Sequence, residues 1–254
     1  MDDSQNDDRR LRRRAFLTAG AAATALPVAT AAAAMLGGQD VPWKEGLTNG
    51  PPAVDNVTGW VWFTDAEAAF ITAAVARLIP ADELGPGAVE AGVPTFIDRQ
   101  LAGDYGRGEH WYMQGPWAPG LPTQGYQTRL SPAGLYRTAI RAIDAVVAGQ
   151  SNSASFAKLA AADQDAFLHR LEKGDVQLDG VDARTFFAQL LQNTLEGFWS
   201  DPIYGGNRDL VGWKLIGFPG ARYDQSTFVS QHGAAYPLPP VGIKGRVEWI
   251  RSQG

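Results

Sequence analysis

The sequence of 254 residues contains no cysteine. This excludes disulfide staples, iron–sulfur clusters held by thiolates and haem attached through C-x-x-C-H. Histidine is scarce too: His110, His169 and His232 lie far apart, and none has carboxylates at tight metal spacing. A three-histidine metal site would therefore have to be assembled by the fold. No G-x-G-x-x-G dinucleotide loop, Walker loop, H-E-x-x-H helix or G-x-S-x-G elbow occurs. The net charge is −5, and no basic run follows the first 14 residues. Nucleic acid and anionic membrane surfaces thus find little to bind. Long runs of large apolar residues are also missing. The alanine-rich segment from Ala19 to Ala34 is interrupted by Pro27 and falls short of the roughly 20 apolar positions that a membrane-crossing helix needs.

What the N-terminal region does have is an order of properties. Met1 to Asp8 is acidic, Arg9 to Arg14 is basic, and Arg13-Arg14-Ala15-Phe16-Leu17 precedes the alanine-rich segment. A charged start, a weakly hydrophobic stretch and small residues beyond it make an export signal. The arginine pair followed by Phe-Leu makes it the twin-arginine type, an address read by a receptor and not an anchor. The alternative, an exposed basic helix start with an alanine tail, lacks a large apolar stripe for any core. Several Ala-x-Ala choices between Ala29 and Ala34 leave the cleavage position open. Removing residues 1–34 takes away five Arg and four Asp, a net +1, and leaves the remainder at −6. Residues 35–62 read as an extended arm, rich in Gly, Pro and Asn, with Trp43 and Trp60 as anchoring rings. Trp60 is expected in the core beside Trp62 and Phe63. Residues 63–254 read as one helical domain with an irregular C-terminal tail.

Helical spacing accounts for most hydrophobic residues of that domain. Thr64 and Glu67 form a capping box for a helix whose apolar face carries Phe70, Ile71, Ala74, Val75 and Leu78, stopped by Pro80. After the turn-rich connection from Pro80 to Gly87, Pro94 falls in the first turn of a helix bearing Phe96, Ile97 and Leu101. Ser131-Pro132 starts a helix with Leu135, Ala139, Ile143 and Val147, which Gly149 ends. Phe156 and Leu159 belong to a short helix. Asp163 is expected to cap another, with Phe167, Leu168 and Leu171, before Gly174. Asp182 caps the last long helix, which carries Phe186, Leu190, Thr194 and Phe198. No train of alternating strands appears, so the fold class is predominantly all-α. In the tail, short strand-like pairings could form near Val229 or from Val241 to Ile243, and the fold class does not rest on them.

Two segments combine glycine and proline with large rings. Between Gly103 and Arg129 periodicity disappears while His110, Trp111, Tyr112, Met113 and Trp117 remain; such rings can line a carbohydrate site, dock a subunit or cover core. From Thr194 to Gly220 the chain has six Gly and two Pro, yet also Phe198, Trp199, Trp213 and Phe218. A linker has no use for so much apolar surface, so this stretch reads as an ordered excursion whose glycines set the backbone path.

The residues of that stretch carry a resemblance: Thr194, Glu196-Gly197, Asp201-Pro202, Tyr204-Gly205-Gly206-Asn207, Gly212-Trp213, Ile216-Gly217 and Pro219-Gly220. A second echo runs from Pro86 to Val93, followed by Phe96-Ile97-Asp98. From about Phe63 to Gly220 the chain resembles the gluconate 2-dehydrogenase subunit 3 family. The resemblance implies an all-helical, non-catalytic small subunit of a membrane-associated, flavin-dependent sugar, sugar-acid or polyol dehydrogenase. The implied partners are a large flavoprotein holding FAD, in many complexes a multihaem cytochrome c holding haem c, and the twin-arginine export machinery. The implied location is the periplasm, at the inner membrane through partners, after removal of the signal.

This chain is accordingly expected to hold no cofactor, catalytic residue or metal ligand of its own, and to bind no nucleic acid. Tyr204, Asn207 and Trp213 are expected at the partner interface, with Gly205 and Gly206 setting the loop geometry. Two other readings stay open. One is a stand-alone cell-envelope protein that binds carbohydrate through the Trp111/Trp117 loop. The other is a hydrolase using Glu196 and Asp201 as a carboxylate pair, although both suit capping and loop-fixing bonds.

Overall fold

Thr64 opens the first helix as its spacing to Glu67 predicts. The Glu67 amide donates to the Thr64 hydroxyl (3.3 Å) and the Thr64 amide donates to Glu67 Oε2 (2.8 Å), satisfying amides that a helix start leaves open. A computed structural model describes residues 59–243 except 119, 122, 152, 223 and 224. The expected signal, the expected arm before residue 59 with Trp43, and the tail after Ile243 lie outside the described residues.

Helix α1 (Asp65–Leu78) buries Phe70, Ile71, Ala74 and Val75. It is followed by α2 (Val93–Ala102), the single turn α3 (Asp104–Arg107), α4 (Pro132–Gln150), α5 (Ala161–Lys173), α6 (Ala183–Trp199) and α7 (Val211–Ile216). Short 3-10 turns occupy Phe156–Lys158, Pro202–Tyr204, Arg208–Leu210 and Ser226–Phe228. Among the described residues there is no strand, and the domain is predominantly α-helical. None of the described helices is long and apolar enough to cross a membrane.

The starts of α2, α4 and α6 follow the expected chemistry. Pro94 lies in the first turn of α2, the Gly134 amide donates to Ser131 Oγ (3.3 Å), and the Thr185 amide donates to Asp182 Oδ2 (2.8 Å). The start of α5 differs. Ala160 stands at its cap with no side-chain bond, and its carbonyl accepts the amides of Asp163 (3.0 Å) and Gln164 (2.9 Å). Asp163 is therefore inside the first turn, where its charge favours the positive end of the helix. Leu159 lies just past its 3-10 turn, and α4 runs one residue beyond Gly149.

Helix α1 packs against α2, α4, α5 and α6. Phe70 meets Phe156 (4.9 Å) and Phe186 (6.2 Å), and Phe186 takes the edge of Tyr136 (5.4 Å). All four rings are fully buried, so the core is an aromatic junction between four elements. At its rim Arg77 grips Asp165 through two bonds of 2.6 and 2.7 Å, joining α1 to α5.

The approach into α1 is held from another helix. The buried carboxylate of Asp98, on α2, accepts the amides of Val61 (2.7 Å), Trp62 (2.9 Å) and Phe63 (2.8 Å). Phe63 is driven into the core, but Trp60 precedes the pinned amides and remains 38% exposed. Trp60 is thus a rim residue and not the core residue expected. Among the described residues the tail makes one pairing: Val241 bridges Gly220 in parallel, with Ala221 N to Val241 O at 2.7 Å and Val241 N to Pro219 O at 3.2 Å. Val229 takes no part in a bridge among the described residues.

Candidate functional site

Helix α6 carries the chain into the glycine-rich stretch. Thr194 is buried, and its hydroxyl donates to Leu190 O (2.7 Å). One turn later Gly197 lies against Phe96 and against the returning chain at Gly206. A Cβ on Gly206 would stand 2.1 Å from the Gly197 carbonyl oxygen, and Gly205 has φ +97. Gly206 is therefore required for backbone-to-backbone contact and Gly205 for a left-handed turn. The two resembling segments meet here: Arg208 N donates to Ala91 O (2.9 Å), and a Cβ on Gly92 would lie 2.8 Å from Gly205 O.

Beyond the glycines, Asn207 (φ 45), Asp209 (φ 57) and Leu210 (φ 58) are left-handed without being glycine. Such angles are costly unless the surroundings fix them. Asn207 provides part of that fixing: its Nδ2 donates to Ser200 O (2.8 Å) and its Oδ1 accepts Gly212 N (2.9 Å). It thereby ties the end of α6 to the start of α7. Trp213 does the same with its indole, donating to Trp199 O (2.7 Å), while its ring meets the edge of Phe218 (5.1 Å).

Of the three expected contact residues, only Tyr204 lies at the surface, 50% exposed; Asn207 is 0% and Trp213 6% exposed. Asn207 and Trp213 are corrected to interior residues, because their polar groups satisfy carbonyls that the end of α6 leaves open. Beyond the end of α6, the exposed large apolar side chains of the stretch are Ile203, Tyr204, Leu215, Ile216 and Phe218. Clefts flank α7. One of ≈ 400 Å³ lies between it and the Asp82–Pro86 turn, with Leu84, Phe198 and Leu215 in its walls. Another of ≈ 370 Å³ lies against Phe218, Tyr236 and Leu238.

The aromatic loop between Gly103 and Arg129 leans over α6 and encloses a cleft of ≈ 840 Å³. Trp111 stacks obliquely on Tyr126 (4.8 Å) and meets the edge of Tyr105 (5.7 Å); Trp117, 39% exposed, also lines the cleft. Behind it lies a network absent from the sequence reading. Gln189 Nε2 donates to Tyr105 Oη (2.6 Å), and both Tyr105 Oη (3.0 Å) and Tyr136 Oη (2.8 Å) donate to Asn193 Oδ1. Asn193 Nδ2 then donates to Glu196 Oε2 (3.1 Å). Burial pushes the Tyr105 hydroxyl up to about 12 and that of Tyr136 well above its ordinary value, so both remain neutral donors. The legible signal was Gln189 and Asn193, spaced by four on a helix face that otherwise carries Phe186 and Leu190.

Glu196 and Asp201 do different work. Glu196 is exposed on α6 and accepts Gln192 Nε2 (2.8 Å) in addition to Asn193. The Asp201 carboxylate is buried and accepts Ile203 N (3.0 Å) and Ile243 N (2.7 Å), fixing a turn and the returning tail. His110, His169 and His232 are all exposed. Among the described residues no group of three His, Cys, Asp or Glu side chains is placed to hold a metal ion.

These features define a class: a helical domain whose long glycine-rich excursion is locked onto the end of its last long helix and closed by its own tail. The chain belongs to the gluconate 2-dehydrogenase subunit 3 family, whose sequence profile matches residues 65–220. That span runs from the first residue of α1 to Gly220, where the tail bridges back. No curated protein and no solved structure matches the chain.

Proposed function

We propose that this chain is the non-catalytic small subunit of a membrane-associated, flavin-dependent dehydrogenase acting on a sugar, sugar acid or polyol. In this reading it assists folding, twin-arginine export and assembly of the large flavoprotein. FAD resides in that partner, and haem c in a cytochrome subunit where one is present. The observation that carries the reading is the family match over residues 65–220.

Physical support comes from the surface of the locked stretch. Ile203, Tyr204, Leu215, Ile216 and Phe218 are exposed on a frame fixed by Asn207, Trp213 and the Gly197–Gly206 contact. Apolar side chains on a rigid frame lose little entropy on docking, and exposed apolar surface of this kind marks interaction sites.

The test pairs affinity with stability. Tyr204→Ala and Ile216→Asp are expected to weaken binding to the purified flavoprotein by about 2 kcal/mol. Their unfolding should stay within about 0.5 kcal/mol of the parent chain. Trp213→Ala is expected to lose roughly 3–5 kcal/mol of folding stability, as a buried ring does. Parental affinity in both surface variants would move the docking face elsewhere, and no affinity of the parent chain for the flavoprotein would end the proposal.

A further inference from the structure

The cleft between the aromatic loop and α6 is not used by the docking reading. Its walls include Trp111, Trp117, Tyr126, Gln127, Gln189 and Gln192, and none of its lining residues is Asp, Glu, Lys, Arg or His. We infer that this cleft binds a neutral polyhydroxylated molecule, a pyranose or a linear polyol, through ring faces and side-chain amides.

Three features point to that class. First, the aromatic walls are pre-set. Trp111 is braced by Tyr105 and Tyr126, and the Tyr126 hydroxyl donates its proton to Leu130 O (2.8 Å), so Tyr126 has no proton left to donate to a ligand. The C–H faces of a sugar ring stack on such surfaces at small entropic cost.

Second, the amides on α6 present acceptors. Gln189 Nε2 is tied to Tyr105 (2.6 Å) and Gln192 Nε2 to Glu196 (2.8 Å). Among the described residues neither Oε1 receives an intramolecular bond. Sugar and polyol hydroxyls are donors that match them. The network behind them, from Tyr105 and Tyr136 through Asn193 to Glu196, keeps both side chains in place.

Third, the walls discriminate by charge. A carboxylate in the cleft would lose hydration and meet carbonyl acceptors without a cation to replace its water. The site therefore prefers a neutral sugar or polyol over the corresponding sugar acid. Its volume of ≈ 840 Å³ falls within the usual range for small-molecule sites, about 300–1,000 Å³.

The experiment follows tryptophan indole signals of the isotope-labelled intact chain by NMR during titration with glucose, sorbitol or sodium gluconate. Saturable shifts of Trp111 and Trp117 are expected with glucose or sorbitol and not with gluconate at the same concentrations. Trp117→Ala and Gln192→Ala should each weaken that response at least about tenfold, with flavoprotein affinity unchanged. Both residues are exposed, so both variants should fold, and Gln192→Ala alone decides if the ring substitution lowers stability. Absence of a saturable shift with both neutral probes, an equal response to gluconate, or parental affinity in Gln192→Ala would overturn the inference. None of these outcomes bears on the subunit proposal, which is read from flavoprotein binding.

Discussion

Gly206 and Asn207 are neighbours that are buried for opposite reasons. Gly206 has no side chain because the Gly197 carbonyl occupies the space where one would start, 2.1 Å away. Asn207 needs its side chain because both ends of the amide close backbone bonds, to Ser200 and Gly212. Gly206→Ala is accordingly expected to destabilise the chain by about 3 kcal/mol or more, since two backbones must separate. Gly205→Ala should lose less, about 1–2 kcal/mol for its left-handed angle, because the nearest atom to its Cβ position is a movable Arg99 side chain at 3.0 Å. Urea unfolding of both variants measures the order; a Gly206→Ala variant within about 0.5 kcal/mol of the parent would remove the contact. A glycine pair between rings shows in sequence that geometry is demanded there. It does not show that Gly197, on the preceding helix, makes the demand. The same blindness put Asn207 and Trp213 at the surface: a loop amide and a loop indole look like contacts until the open carbonyls of Trp199 and Ser200 are in view.

At the scale of elements, what is local was legible and what is remote was not. The caps at Thr64, Ser131 and Asp182 each join residues three apart, and each of these three helices starts as expected. Asp98 reaches the amides of residues 61–63 from 35 or more positions away, and no periodicity announces such a clamp. Glu67 joins the two kinds of bond, since it caps α1 and also accepts Arg137 Nε from α4 (3.0 Å). Burial pushes its carboxyl up. The Thr64 amide, the Arg137 guanidinium and the Thr64 hydroxyl together pull it further down, leaving it below its ordinary value. A carboxyl depressed in the folded state contributes stability above its unfolded value, and that contribution disappears as pH falls through the folded value. Asp165, held down by its bonds to Arg77, acts in the same sense, whereas burial raises Asp144 and acts in the opposite one. Glu67→Gln should therefore be less stable at neutral pH by roughly 1 kcal/mol. It should also lose less stability than the parent on acidification to about pH 3.5. Denaturant titrations at both pH values check this. An unchanged difference between neutral and acidic stability in the variant would show that Glu67 is not the group responsible.

For the whole molecule, the proposed function requires that a folded domain and its partner leave the cytoplasm together. The described domain is built from helices that pack around one core, with only isolated bridges in addition, a topology rich in the short-range contacts that favour rapid folding. Such a domain is suited to a route that carries proteins already folded, the route proposed for this chain on Arg13 and Arg14. On the subunit reading, a flavoprotein without its own address can travel bound to this chain. Its export then depends on two guanidinium groups in a different polypeptide. Lysine keeps the positive charge but not the planar fork of donors that a receptor can read, so Arg13→Lys with Arg14→Lys separates recognition of arginine from attraction to charge. The expected outcome is retention of uncleaved precursor in the cytoplasm. Loss of the flavoprotein's activity from the periplasm should accompany it, although that protein is unaltered and the folded domain of this chain is untouched. Cell fractionation with antibodies to both proteins, beside a dehydrogenase assay on each fraction, reads both halves. Retention of the small subunit with normal periplasmic flavoprotein would separate the two journeys, and normal periplasmic amounts of both would mean that the arginine pair is not the address.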